Sequence, residues 1–206
     1  MIFINKRSVP IWLTRLLKND LSIKEYRDLS AENRKKLRQD LVDEQLYLCG
    51  YCCGKANESS AHNEHIKPQE MCTDKESLDY YNIIASCRGF HVNSETCGHR
   101  KNNAYDETMF VSPLVQGCEQ NFKYTINGEI VGLNERAKYT IALLNLNSGA
   151  LKNARKGILK QSRLLDCATA SEIYEKPYMG KMQPFCNIVK YFLNNHSHLF
   201  SGTKST

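Results

Sequence analysis

Glu64 and His65 stand side by side in Asn63-Glu64-His65-Ile66-Lys67-Pro68, on what reads as the end of a short strand. A carboxylate suits a hard divalent cation, and a neutral imidazole is the natural proton acceptor for a water at neutral pH. Neighbours on a strand point to opposite faces, but at a twisted strand end both can address one site. A solvent-facing acid and imidazole would leave the same dipeptide, so the surroundings must decide.

Those surroundings are rich in cysteine. Cys49 and Cys52 have the spacing by which one turn grips a zinc ion, and Cys87 and Cys97 could complete a tetrahedral site of four thiolates. Cys53 and Cys72 compete for places in it, and a set of buried free thiols is the alternative. Cys118, Cys167 and Cys186 lie in hairpin and helix contexts without partners and are assigned to that alternative.

Several elements must position these groups. Residues 1–15 read as an extended lead-in with Pro10 at its turn. Ser30 can cap a helix in which Leu37, Leu41, Gln45 and Leu48 recur at helical spacing, delivering the chain to Cys49. Gly50 and Gly54 bracket a tight cysteine turn. Residues 60–66 alternate as a short strand that Pro68 ends, 69–81 read as a polar loop, and 82–87 as a buried strand. After a polar excursion over 89–96, Cys97 opens a turn into a helix carrying His99, Lys101 and Asn103.

Further on, Phe122 to Val131 reads as a hairpin joined at Asn127-Gly128, whose residues tolerate positive φ. Asn134 can cap a helix with Ala137, Ile141, Leu143 and Leu144 on its buried side. Leu151, Ala154, Ile158, Leu159 and Leu165 mark a second amphipathic helix with its basic residues opposite. A last helix is expected over 185–193, and the tail from Ser201 should fray.

The 206 residues suffice for one compact domain with an appended helical part, and 41% hydrophobic with 24% charged residues is ordinary for a globular chain. The net charge of +6 matters less than its placement. Lys138, Lys152, Arg155, Lys156 and Lys160 lie between Arg136 and Arg163 with no acidic residue among them. A one-signed stretch of this kind attracts polyanions such as nucleic acid; a solvated helix face or an acidic partner protein is the alternative. No window approaches the roughly 18 apolar residues of a membrane span, and no leader is read at the start. An odd count of nine cysteines then argues for reduced thiols in the cytoplasm.

The order Cys-x2-Cys, Glu64-His65-Ile66-x-Pro68, Asn82-Ile83-Ile84-Ala85-Ser86-Cys87 and Cys97-x3-Lys101 resembles that of the HNH, or ββα-metal, nucleases. The resemblance implies an α+β fold with a ββα-metal core and a structural zinc knuckle, preceded by a helix and followed by a β-hairpin and a helical C-terminal part. It also implies a catalytic Mg2+ or Mn2+ within that core and a structural Zn2+ on Cys49, Cys52, Cys87 and Cys97. His65 falls on the family's general base, Glu64 on a metal-binding carboxylate, and Asn82 on the central asparagine that orients the histidine. One position departs from the pattern. Gly98 stands where many members carry a ligand, which makes His99 the first choice for the missing ligand and Asn103 the second, with His62 and His91 also open.

The similarity extends to a subfamily, the PtuB-like HNH partners of ATPases in Septu-type and retron-associated anti-phage systems. The residues that carry it are the helix-into-knuckle entry over 35–52, Cys97 to Asn103, the Asn127-Gly128 hairpin, Ala142 to Asn147 with Leu151 and Arg155, and Pro184-Phe185. This implies an entry helix in 1–48, a nuclease core in 49–110 and a docking region in 111–206 for an ATPase or for nucleic acid. Arg100, Lys101, Lys152, Arg155 and Lys156 are the candidate nucleic-acid contacts, with DNA favoured as substrate. RNA, including tRNA, is the alternative substrate, and a non-catalytic zinc module that binds nucleic acid or protein is the alternative class.

Overall fold

Ser30, Thr73, Asn134, Ser148 and Asp166 each stand one residue before a helix. In the computed structural model each of these side chains accepts a hydrogen bond from a backbone N–H of the first turn. The structure describes residues 1–88 and 96–201. Among them, eight helices and two small antiparallel sheets follow in the order α1 (Ile11–Asn19), α2 (Ala31–Glu44), β1 (Ala61–His65), α3 (Asp74–Ser77), β2 (Ile83–Cys87), α4 (Cys97–Lys101), β3 (Phe122–Tyr124), β4 (Ile130–Gly132), α5 (Glu135–Leu143), α6 (Gly149–Ser162), α7 (Cys167–Glu175) and α8 (Cys186–Asn195). The chain is therefore of mixed helix and sheet.

Strands β1 and β2 pair antiparallel, with Ala61 opposite Cys87 and His65 opposite Ile83. All five residues of β2 are buried, which fits a strand covered on both faces: α2 lies against both strands and α4 against β2. Two strands alone bury too little to stand by themselves. A clamp from the N-terminal segment adds to their support. Lys6 Nζ meets Glu44 Oε1 at 2.7 Å, donates to the Ile83 carbonyl at 3.0 Å and lies 3.6 Å from the Tyr80 ring centre.

Other elements differ from the sequence expectations. The lead-in contains α1, because Pro10 fits the helix start and Leu13, Leu16 and Leu17 form an apolar edge against the core. Helix α2 stops at Glu44, before Gln45 and Leu48, as Leu46 and Tyr47 take positive φ of 52° and 65°. The polar segment 69–81 holds α3, closed by a reciprocal Thr73–Glu76 capping box. In the cysteine turn the positive φ of 60° falls on Cys53 rather than on Gly50. Gly50 serves close packing instead, since a Cβ there would lie 2.7 Å from Ile84 Cδ1. Helix α7 follows the Asp166 cap in a stretch for which no helix is expected from the sequence. The hairpin turns at Gly128 with φ 79°, and α8 covers the C-terminal expectation.

Candidate active site

The last residues of β1 and the backbone of α4 face a polar cleft of about 320 Å³. Its wall includes His62, Glu64, His65, His99 and Asn103, and Arg27 from the N-terminal part of the chain. His65 is buried, and its Nε2 lies 2.8 Å from the Ser77 carbonyl oxygen. A carbonyl can only accept, so Nε2 carries the proton and Nδ1 keeps the lone pair. The Tyr26 ring meets the imidazole edge-on at 4.6 Å. Burial pushes the His65 pKa down, against opposing contributions from the Ser77 carbonyl and Glu64, so the imidazole is neutral near pH 7.

Glu64 is buried and held from three sides. Tyr51 donates to Oε1 at 3.1 Å, Lys101 Nζ lies 2.9 Å from Oε1, and His62 Nε2 lies 3.2 Å from Oε2. Burial alone would raise its pKa, but His62 and Lys101 together hold it below the ordinary carboxylate range. Asn82 pins the loop that follows β1: its Oδ1 accepts from Lys67 N at 2.8 Å and its Nδ2 donates to Lys67 O at 3.0 Å.

Gly98 sits where α4 crosses the acid. A Cβ there would lie 2.5 Å from both Glu64 Oε2 and His62 Nε2, so only glycine lets the helix come this close. His62 and Glu64, two residues apart on β1, share one face, and the His99 ring lies 4.5 Å from that of His62. Nδ1 of His62 is buried and has no hydrogen-bond partner. A carboxylate and two imidazoles beside a glycine are donor types that a divalent cation takes. Among the described residues the converging group of three or more metal-ligating side chains is the cysteine cluster, whose ligand atoms all lie within 4.8 Å of one another. Asn103 borders the cleft but lies beyond α4, which ends at Lys101 and is followed by Asn102 with φ 46°. His91 lies outside the described residues.

Cys49, Cys52, Cys87 and Cys97 are all buried and converge from the turn after α2, the end of β2 and the start of α4. Cys52 Sγ and Cys87 Sγ are 3.8 Å apart. A tetrahedron with metal–sulfur bonds of about 2.3 Å has edges of about 3.8 Å, so this spacing suits zinc. The Gly54 and Cys87 N–H groups point at the sulfurs of Cys52 and Cys49, each at 3.3 Å. Burial raises Cys49, yet bonds from Cys52, Cys87 and Cys97 hold it well below the ordinary thiol range, while Cys52 and Cys97 are pushed up, chiefly by Cys49. A cation removes that competition for protons. Cys87 and His65 lie at opposite ends of the strand pair, separated by about 13 Å of strand. Cys53 is buried outside the cluster, and Cys72 accepts from Asn82 Nδ2 at 3.6 Å.

Two basic side chains expected to face nucleic acid are in the core. Lys101 is 1% exposed and donates to the His65 carbonyl at 2.9 Å. Arg155 is 1% exposed and donates to the carbonyls of Gly128 at 2.6 Å and Leu146 at 2.7 Å. Both are held by buried acceptors that would otherwise be unsatisfied, which corrects the expectation of solvent-facing contacts. Arg100 and Lys156 are exposed and Lys152 is half-buried. Tyr26, Tyr51 and Ser77, which hold His65 and Glu64, carried no sequence signal, because their partners lie up to 39 positions away.

No family model matches the sequence. The chain is 28% identical over 169 residues to a curated protein of Vibrio cholerae serotype O1 biovar El Tor, named "Retron Vc95 putative HNH endonuclease". The match covers 76% of this chain and 81% of that protein. It supports the HNH resemblance and does not extend to the Septu type. No helix among the described residues is long and apolar enough to cross a membrane.

Proposed function

We propose that the chain is a metal-dependent endonuclease of the HNH class that hydrolyses phosphodiester bonds, with DNA as the favoured substrate. The observation that carries this is His65: its Nε2 is committed to Ser77, its pKa is lowered by burial, and it borders the same cleft as Glu64. His65 Nδ1 takes a proton from water, and the oxygen attacks phosphorus in line with the departing oxygen. Glu64, His62 and His99 are the residues that would hold Mg2+ or Mn2+. Such a cation, when bound, supplies charge neutralisation for the phosphate and the leaving oxygen. Asn82 keeps the loop after His65 in place, and zinc on the four cysteines would fix the strand pair to α4.

The proposal extends to the setting. A cytoplasmic complex with an ATPase, as in PtuB-like and retron-associated pairs, would use residues 111–206 for docking and 49–110 for cleavage. Arg100, Lys152 and Lys156 would meet the nucleic-acid backbone. Support comes from the similarity to a protein named for a retron and from the exposure of these three side chains to at least a partial degree.

The deciding experiment is cleavage of DNA and RNA of one sequence by the wild type and by His65→Ala, with and without Mg2+, and with co-purified partners and nucleotide. His65→Ala should keep its fold and zinc and lose cleavage by about a hundredfold or more. Unchanged cleavage would remove His65 from the role of base. Faster cleavage of RNA would replace DNA as the substrate.

A further inference from the structure

We infer that Arg27 is a phosphate-binding residue on the wall of the cleft, gripping the backbone of the strand that is cut; this rests on the nuclease reading above. Arg27 sits in the middle of a single 3-10 turn, Tyr26–Asp28, and its side chain borders the cleft that holds His65 and Glu64. The turn is pinned on both sides of it. Tyr26 is buried, its hydroxyl accepts from Asn63 Nδ2 at 2.8 Å and its N–H donates to Ser77 Oγ at 2.9 Å. Asp28 Oδ2 accepts from Lys24 N at 2.8 Å and Glu25 N at 3.0 Å, so that carboxylate is already engaged.

Ser77 is the hub. Its hydroxyl receives Tyr26 N–H while its carbonyl receives His65 Nε2, so one residue sets the place of both the turn and the imidazole. The backbone at Arg27 is thereby placed relative to the cleft by the same residue that orients His65. Lys101, the other long cation of this wall, is buried and paired with Glu64. Arg27 is exposed, and no carboxylate pairs with it among the described residues. A guanidinium carried on a pinned turn beside the cleft, with no carboxylate partner among the described residues, matches the tetrahedral oxyanion of a phosphodiester.

The test uses the full-length, zinc-loaded chain carrying His65→Ala, so that binding is read without cleavage. Fluorescence anisotropy with a labelled DNA duplex, its single strand and the matching RNA, titrated across salt, gives affinity and salt slope. Adding Arg27→Ala should weaken binding about tenfold, uniformly across sequences, and lower the salt slope by about one. Arg27→Lys should fall between, because lysine keeps the charge but loses the fork. In the cleavage-competent chain Arg27→Ala should raise KM while thermal stability stays put. Unchanged affinity and slope, in a protein whose wild type cleaves, would overturn the Arg27 assignment alone. A loss confined to one sequence would overturn it in favour of a base contact. A wild type that binds and cleaves no nucleic acid would remove the nuclease reading and this proposal with it.

Discussion

Lys101 Nζ lies 2.9 Å from Glu64 Oε1, and both side chains are buried. The same ammonium donates to the His65 carbonyl at 2.9 Å, so one cation fixes the Glu64 carboxylate, the backbone of His65 and the end of α4 together. Lys101→Met leaves the Glu64 carboxylate buried with one counter-charge fewer. It should cost about 3 kcal/mol or more in denaturant unfolding. A lysine that served substrate phosphate from the surface would instead leave unfolding unchanged and alter only the salt dependence of binding. The two outcomes are separated by chemical denaturation.

Gly98 gives a prediction of opposite character. The atoms that a Cβ at 98 would meet are the tips of Glu64 and His62, which can swing away. Gly98→Ala also gains helix propensity, by about 1 kcal/mol. Against that gain stands the strain on the buried contacts of Glu64 with Tyr51 and Lys101, so the loss of stability should be smaller than in Lys101→Met, while cleavage falls about a hundredfold because the acid and imidazole are displaced by about an ångström or more. Melting temperature and single-turnover rate, measured on one preparation, check this. A loss of stability as large as that of Lys101→Met would mean that the glycine serves packing only.

How much of this was legible depends on distance along the chain. Helix caps at Ser30, Asn134 and Ser148, the Gly128 turn and the buried run of β2 are local, and periodicity or residue type exposes them. The four cysteines were also legible, because zinc imposes few spacings and thiolates have few other uses at such density. The place of Arg155 is encoded in the helical period. It falls four residues from Leu151 and four from Leu159, inside the apolar stripe of α6, while its charge alone points to the solvent face. What could not be read was the support of the site: Tyr26, Ser77 and the Lys6–Glu44 pair act across folds of the chain that no local pattern encodes.

The cysteine cluster predicts a dependence of folding on metal. Cys87 joins the end of β2 to the turn at Cys49 and Cys52, while Cys97 opens α4. Cys87→Ser or a strong chelator should release zinc and lower the melting temperature sharply, since the binding free energy of a structural site is folding free energy. Cys186→Ser, at a buried cysteine outside the cluster, should keep its zinc. Metal content by a colorimetric chelator assay, taken beside the melting curve, tests both. Retention of zinc by Cys87→Ser would remove that residue from the ligand set.

Tyr26 offers a test of how burial tunes His65, the proposed base. Its ring lies edge-on to His65 at 4.6 Å with the planes 87° apart. Burial is the main cause of the lowered His65 pKa, because a charged imidazolium is poorly solvated there. Tyr26→Ala admits water to that edge, stabilises the imidazolium and so moves the pKa up towards its ordinary value. The base is then protonated at higher pH, and the acid limb of the kcat/KM profile should shift upward in pH. Tyr26→Phe keeps the ring and loses only the bond from Asn63, which should cost about 1 kcal/mol of stability and leave the limb in place. A limb that moves equally in both variants would assign the effect to the Tyr26 hydroxyl. A limb that moves in neither would mean that His65 is not the group whose titration sets the rate.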